Sequence, residues 1–193
     1  MTLLAAAMAV PLGLAHAAPA SRSARQVIEV GTHQVSFALA DGEDTSVRVE
    51  ATCVIERPAE VVWRVLSDYD RLEEFVPFLS ESRVIGQEGE AILLRQDGAV
   101  NLLILSRRFT VTFLVTEQPM RDIAFDAIAG DFTRFRGRWH LEPHPDGTLV
   151  EHEVEVEPSF FAPRWALRWL ERRVMLASLK AVIARCLQTE GLR

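Results

Sequence analysis

His152 is the side chain of this sequence best placed to do chemistry in a buried site. It lies in the segment Thr148–Glu157, where apolar residues alternate with glutamates, so a strand would turn it to the apolar face. There an imidazole can hydrogen-bond a ligand oxygen or act as an acid or base. A core histidine satisfied by a neighbour has the same pattern, and the sequence leaves both interpretations open.

No compact catalytic or nucleotide-binding motif accompanies this histidine. The sequence contains no G-x-S-x-G, H-E-x-x-H, C-x-x-C, G-x-G-x-x-G or P-loop. His140 and His144 are close in sequence, but the alternation turns His140 outward and leaves His144 in a turn, which does not make a metal pair. We therefore expect no metal, no cofactor and no catalytic residue that a motif defines.

Bulky apolar residues fall on the same predicted face as His152. A sheet that curves around a helix can leave space lined by such side chains and a few polar groups, as small-molecule pockets are. A filled core has the same sequence pattern. The residues that we predict to contact a ligand in this space are Phe109, Phe113, Phe125, Phe135, Trp139, His152, Leu170 and Val174.

The elements that hold these residues are predicted to be an antiparallel meander followed by one helix. Turns rich in Gly, Pro and Asp separate the strands, and such short links require antiparallel neighbours. Pro58 opens a short helix, and a second short helix ends before Pro77. The predicted strands are Ser46–Ile55, Ser82–Gly86, Ala91–Gln96, Arg107–Glu117, Asp122–Ala129, Phe132–Leu141 and Thr148–Glu157, with a hairpin over Arg25–Leu39.

Charge alternation predicts how the last two strands pair. In the register that turns the apolar residues of both strands inward, a basic row lies opposite an acidic row on the outer face. The basic row is Arg134, Arg136, Arg138 and His140, and the acidic row is Glu151, Glu153, Glu155 and Glu157.

The segment Phe160–Leu187 is predicted to form one long helix that covers the sheet. It has no glycine, and its only proline, Pro163, falls where a first turn tolerates it. Two apolar stripes recur every three or four residues. The stripe expected against the sheet is Leu167, Leu170, Val174, Ala177, Ala181 and Ala184, and the second is Trp165, Trp169, Leu176, Ile183 and Leu187.

The charge balance argues against nucleic acid as a partner. The net charge is −6, whereas phosphates require a basic surface. The last helix is nevertheless locally basic and carries Trp165 and Trp169. A docked helix with a solvated arginine face is the interpretation that we favour, and peripheral contact with an anionic membrane or a partner protein is the alternative.

Residues 1–17 are typical of a secretory signal peptide. An apolar run leads to Ala15-His16-Ala17, the small-x-small pattern of a signal-peptidase site. We expect export to the periplasm or another extracytoplasmic compartment, with an uncleaved anchor as the alternative. Residues 18–45 would then hold the hairpin and a linker, and residues 46–190 one domain. Cys53 and Cys186 would pair there only if the end of the helix crosses the strand of Cys53.

The order of strand, two short helices, meander and long helix resembles the START-like superfamily, also called SRPBCC or helix-grip. IERPAEVVWRVLSDYDRLEEFVPFL is similar to the first strand and two helices of its polyketide cyclase/dehydrase and coenzyme Q-binding group. GDFTRFRGRWHLEP and GTLVEHEVEVEPSFFAPRWALRWLERR resemble a branch found in bacteria and plastids. The resemblance covers about residues 46–190. It implies an α+β helix-grip fold, with a curved antiparallel sheet, two short inserted helices and a long C-terminal helix.

The resemblance implies binding of a hydrophobic small molecule, such as a quinone, isoprenoid or lipid, between the sheet and the last helix. The group also contains cyclases, so an enzyme of the cyclase/aromatase or dehydratase type that uses the same cavity is the alternative. We favour a non-catalytic carrier, because the strands show no second inward titratable residue beside His152.

Overall fold

The computed structural model describes residues 25–30, 33–41, 45–102, 105–160 and 163–189. The predicted signal peptide lies outside these residues, as does 42–44 of the predicted linker. Within them, nine antiparallel strands form one sheet in the order β1-β2-β3-β9-β8-β7-β6-β5-β4. The strands are β1 (Gln26–Val30), β2 (His33–Asp41), β3 (Val47–Ile55), β4 (Leu79–Glu88), β5 (Ala91–Leu102), β6 (Leu105–Gln118), β7 (Asp122–Gly130), β8 (Phe132–His144) and β9 (Gly147–Pro158).

The helices occupy the places that the sequence indicates. Helix α1 (Ala59–Ser67) and a 3₁₀ helix (Tyr69–Glu74) lead from β3 to β4 at the opposite edge of the sheet. Helix α2 (Arg164–Gln188) follows β9 and packs across β3 and against α1. The predicted α+β helix-grip fold, a curved antiparallel sheet closed by a long C-terminal helix, is confirmed. No helix of the described residues is long and apolar enough to cross a membrane.

Apart from β3, which begins one residue later than predicted, the strands extend beyond their predicted ends, because the period-two pattern is weakest next to turns. The ambiguous stretch after Gln96 continues β5 to Leu102, and β6 begins at Leu105. The predicted N-terminal hairpin is present as β1 and β2, and β2 pairs with β3 through partners such as Val35 and Cys53. The hairpin therefore extends the same sheet.

The predicted pairing of the two charged rows is confirmed. Arg134, Arg136, Arg138 and His140 of β8 stand opposite Glu157, Glu155, Glu153 and Glu151 of β9 in the order given. This register is the one that turns the apolar residues of both strands inward.

Glu155 is the centre of the outer charged face. Its carboxylate accepts hydrogen bonds from Ser46 Oγ (3.0 Å), Arg48 Nη2 (3.1 Å), Arg134 Nη1 (3.1 Å) and Arg136 Nη2 (2.8 Å). Burial by itself raises the pKa of Glu155, but the hydrogen bonds from Arg136, Arg48 and Ser46 outweigh it and lower the pKa to about 2. The charged partners thus offset the cost of burying this carboxylate between β3, β8 and β9.

The predicted contact stripe of α2 is right in its first half and wrong in its second. Leu167 and Leu170 are buried against the sheet, whereas Ala184 is exposed. The neighbouring stripe carries bulkier side chains, and these take the buried positions because they remove more apolar surface from water. They are Met175, Leu179, Val182, Ile183 and Cys186.

The end of α2 crosses β3 and brings Cys186 to Cys53. Both residues are buried, free thiols. Burial raises the pKa of Cys53 to about 11 and that of Cys186 to about 12, and the neighbouring Cys53 adds to the rise at Cys186. The crossing that a disulfide would need is therefore present, while the protonated state makes both thiols poor nucleophiles.

Candidate functional site: a cavity under the long helix

A cavity of about 240 Å³ lies between the inner face of the sheet and α2. Its wall combines strands β5 to β9, α2 as far as Val182, the end of α1, the 3₁₀ helix and the segment that joins this helix to β4. All eight residues that the sequence marks as ligand contacts line it, namely Phe109, Phe113, Phe125, Phe135, Trp139, His152, Leu170 and Val174. That these side chains contact a ligand stays a prediction.

The aromatic residues of the wall form one continuous row across the sheet. Neighbouring rings meet edge to face, as the charge distribution of aromatic rings favours. The centroid distances are 5.7 Å for Phe109–Phe132, 4.9 Å for Phe132–Phe135, 5.0 Å for Phe135–Phe113 and 5.3 Å for Phe113–Phe125. The row continues through Phe125 to His152 at 6.4 Å, and His152 stacks on Trp139 at 3.5 Å.

Two glycines let rings of this row lie against the sheet. Gly98 is the cross-strand partner of Phe109, and Gly137 is the partner of Phe125. A Cβ at either glycine would come within 2.5 Å of the Cζ of its partner ring. Real Cβ atoms do not approach so closely. The same Cβ would also meet a backbone oxygen, that of Phe78 at 2.2 Å for Gly98 and that of Glu153 at 2.5 Å for Gly137, so any other residue would displace both ring and backbone. The glycines thus allow the rings their places against the sheet.

Phe132 belongs to the cavity although strict alternation predicts Thr133 there. A register shift between Phe132 and Arg134 in the β8–β9 pair places one extra residue in β8. Phe132 therefore lines the cavity and Thr133 is exposed. Bulges of this kind leave no reliable mark in a single sequence.

His152 is a neutral hydrogen-bonding group in the cavity wall. Its Nδ1 lies 3.1 Å from the carbonyl oxygen of Arg138, so Nδ1 carries the proton and donates it. Burial lowers the pKa of His152 to about 3, against a smaller opposing effect of that hydrogen bond. The neutral ring then leaves Nε2 as an acceptor, which suits a hydroxyl or N–H of a ligand better than a carbonyl oxygen.

Glu171 is a second titratable group of the cavity, and the strand pattern could not reveal it because it lies on α2. It follows Leu170 and lines the same wall. Burial raises the pKa of Glu171 to about 7. Its position, between the inward residues Leu170 and Val174 on one helical face, is the sequence signal that could have identified it.

Four further polar residues line the cavity and were also missed, namely Tyr69, Gln96, Arg107 and Ser178. The hydroxyl of Tyr69 donates a hydrogen bond to the carboxylate of Glu117. Burial and this carboxylate together raise the pKa of Tyr69 well above its usual range. Arg107 shares the inner face of β6 with Phe109, so the period-two pattern already places it inward. Among the described residues no three His, Cys, Asp or Glu side chains form a metal site.

The outer side of the first turns of α2 carries the two tryptophans that the sequence singled out. Trp165 is 65% exposed and Trp169 is 41% exposed. The guanidinium of Arg173 lies 5.4 Å from the centre of the Trp169 ring. The opposite side of the same turns, with Leu167 and Leu170, closes the cavity.

A sheet that grips a long helix over an apolar cavity defines a START-like protein. The sequence model described as "Polyketide cyclase / dehydrase and lipid transport" matches residues 55–183. The chain belongs to this family.

Individual relatives are distant. The ribosome association toxin RatA of Pseudomonas aeruginosa is 29% identical over 97 residues, which are 50% of this chain. The chain spans 65% of that protein, just under two thirds of its length.

Solved structures of similar shape show the fold alone, because their sequences are too different to indicate more. A STAR-related lipid transfer protein from Xanthomonas axonopodis has a TM-score of 0.68 at 16% identity, covering 85% of this chain and 99% of that one. The Zhui aromatase/cyclase from Streptomyces sp. R1128 has a TM-score of 0.63 at 19% identity, covering 74% and 94%.

Substituting Glu171 tests the electrostatics of the cavity. In the native state Glu171 is neutral below its pKa of about 7 and becomes a buried charge above it. Its effect on stability is therefore most favourable below about pH 4.5 and is lost as pH rises through 7. Glu171→Gln should therefore raise the free energy of unfolding at pH 8 by about 1–3 kcal/mol. Urea unfolding should be measured at pH 8 and at pH 4.5, and the gain in free energy of unfolding should vanish at pH 4.5.

The matched control for this measurement is Glu60→Gln at an exposed position of α1. It should leave the free energy of unfolding nearly unchanged at both pH values. The opposite outcome is a free energy of unfolding that rises equally for both variants, or that rises for Glu171→Gln by an amount that does not depend on pH. Either result would show that burial does not raise the pKa of Glu171.

Proposed function

We propose that this protein binds and carries a hydrophobic small molecule, such as a quinone, isoprenoid or lipid, without chemically changing it. The observation that carries the proposal is the cavity of about 240 Å³, walled by a row of aromatic side chains and reached by few polar groups. Membership of a family described by polyketide cyclase, dehydrase and lipid transport supports the same class of ligand.

The size and lining of the cavity support a small or single-chain ligand. Pockets that hold drug-sized molecules measure roughly 300–1,000 Å³, and this cavity lies just below that range. An apolar guest would release the water in contact with the rings, which favours binding by about 25 cal/mol per Å² of apolar surface.

Filling the cavity should lower the affinity for a hydrophobic ligand. Val174 faces it from α2, so Val174→Phe places a ring in the space that the ligand would occupy. We expect the affinity for N-phenyl-1-naphthylamine, measured by its fluorescence gain, to fall on the order of tenfold or more. The melting temperature should stay level or rise, since the ring fills apolar space.

Ala184→Phe is the matched control, because Ala184 is exposed on the same helix. It should bind the probe like the wild type. Unchanged probe binding by Val174→Phe would place the binding site elsewhere and remove the main support for a carrier.

The presence of Glu171 and His152 in one cavity favours a second candidate, an enzyme of the cyclase/aromatase or dehydratase type. The carrier and the enzyme can be distinguished by purifying the protein from its host, extracting the bound ligand and incubating the protein with it. A carrier returns the same molecule after incubation with that ligand. A change in ligand mass that Glu171→Gln or His152→Ala eliminates would identify an enzyme and overturn the carrier.

We propose further that Trp165 and Trp169 contact an anionic membrane while a ligand is exchanged. Both indoles are exposed beside the cavity, and the exposed Arg172 and Arg173 lie on neighbouring turns. Indole rings favour the headgroup region of a bilayer, and arginines add attraction to anionic lipids.

The double substitution Trp165→Ala and Trp169→Ala should reduce flotation with phosphatidylglycerol vesicles severalfold. Phosphatidylcholine vesicles should bind the wild type weakly, because the arginines then lack anionic partners. Leu187→Ala is the control, since Leu187 is an exposed apolar residue at the other end of α2. Equal flotation of all three proteins would contradict the membrane contact.

We propose export as the third component of this function, on the basis of the apolar run and the Ala15-His16-Ala17 pattern. The protein isolated from an extracytoplasmic fraction of its host should begin at Ala18 when sequenced from its N-terminus. Recovery of the intact chain from the cytosol would disprove export, and recovery of the intact chain from membranes would indicate an uncleaved anchor.

A further inference from the structure

Arg107 is a cationic group of the cavity wall whose hydrogen-bonding capacity is not fully used. Its guanidinium lies over the ring of Phe160, 3.8 Å from the ring centre, and both residues line the cavity. The Nε atom is buried and has no hydrogen-bond partner among the described residues. A buried donor left without a partner is unfavourable, and an anionic acceptor on a ligand would pair with the charge that the whole guanidinium shares.

Arg107 differs in this respect from the arginines of the outer face. Arg48, Arg134 and Arg136 all bind the carboxylate of Glu155. Within the described residues no carboxylate, that of Glu171 included, lies in ion-pairing distance of Arg107. The cation thus lies in the cavity wall against the ring of Phe160, and the described part of the chain supplies it with no carboxylate partner.

The strand register places Arg107 and His152 at opposite ends of the aromatic row. Along β6, Arg107 and Val115 face the cavity roughly 26 Å apart. His152 stands opposite Trp139, Trp139 opposite Ile123, and Ile123 opposite Glu117, which follows Val115 by two residues. The aromatic row thus lies between the cationic guanidinium of Arg107 at one end and the neutral imidazole of His152 at the other.

Resting on the proposed function, we propose that the ligand is a single-chain amphiphile whose anionic headgroup, a carboxylate or a phosphate ester, binds the guanidinium of Arg107. Its chain lies along the aromatic row toward His152. The planar fork of an arginine matches both headgroups and can donate two parallel hydrogen bonds to either. A cavity of about 240 Å³ favours one chain over two.

Binding of laurate and of dodecanol tests the proposal, because the two share a chain and differ in headgroup charge. Arg107→Gln should weaken laurate binding on the order of tenfold or more, as expected for loss of a charge-assisted hydrogen bond. Dodecanol binding should change less than about twofold, which also shows that the variant is folded. Calorimetric titration of the full chain provides both affinities.

Two further variants separate charge from packing. Arg107→Lys keeps the charge and should retain most of the laurate affinity. Arg108→Gln is the matched control, since Arg108 is the exposed neighbour on the other face of β6. Laurate affinity that Arg107→Gln leaves unchanged, or an equal loss for laurate and dodecanol, would overturn the headgroup site.

Dodecyl phosphate identifies which anion the site takes. Tighter binding than laurate, sensitive to Arg107→Gln, assigns a phosphate ester, and the reverse order assigns a carboxylate. If the wild type binds dodecanol as tightly as it binds laurate and dodecyl phosphate, the headgroup site is overturned and the hydrophobic carrier is not. Failure of all three probes to bind the wild type would overturn the carrier itself.

Discussion

The packing of two phenylalanine rings onto glycines is the constraint on which the cavity depends. Phe109 and Phe125 each lie over the backbone of a cross-strand glycine, Gly98 and Gly137. A protein interior normally fills to crystal-like density, so space under α2 persists only where side chains are held back from it. Here the ends of two rings lie over glycines, where no side chain holds them off the sheet.

The outer face of the sheet makes this arrangement possible by fixing its register. A shift of one residue between β8 and β9 would expose Phe135 and Trp139 and bury arginines. The cluster around Glu155 opposes such a shift, because its carboxylate needs the arginines of β3 and β8 in their present positions. Charges on one side of the sheet therefore determine which aromatic residues line the cavity on the other.

The sequence predicts the fold and most of the wall because both rest on local periodicity. Alternation over two residues identified Phe113, Trp139 and His152, and helical spacing identified Leu170 and Val174. The parts that it missed depend on events that periodicity does not record. A bulge moved Phe132 inward, competition between two stripes turned Ala184 outward, and Glu171 became part of the cavity only through the packing of α2 on the sheet.

The polar groups of the cavity are few and differ in what they can still bind. Tyr69 already donates to Glu117, and Nδ1 of His152 already donates to a backbone carbonyl. Capacity remains in the acceptor of His152, the guanidinium of Arg107 and the carboxyl of Glu171, whose pKa of about 7 lets it be neutral or charged, and the side chains of Gln96 and Ser178 also line the wall. In an apolar environment each unmatched group penalises the wrong ligand more than it rewards the right one. In the proposed carrier the aromatic row would supply affinity, and the polar groups of the wall would select among hydrophobic ligands.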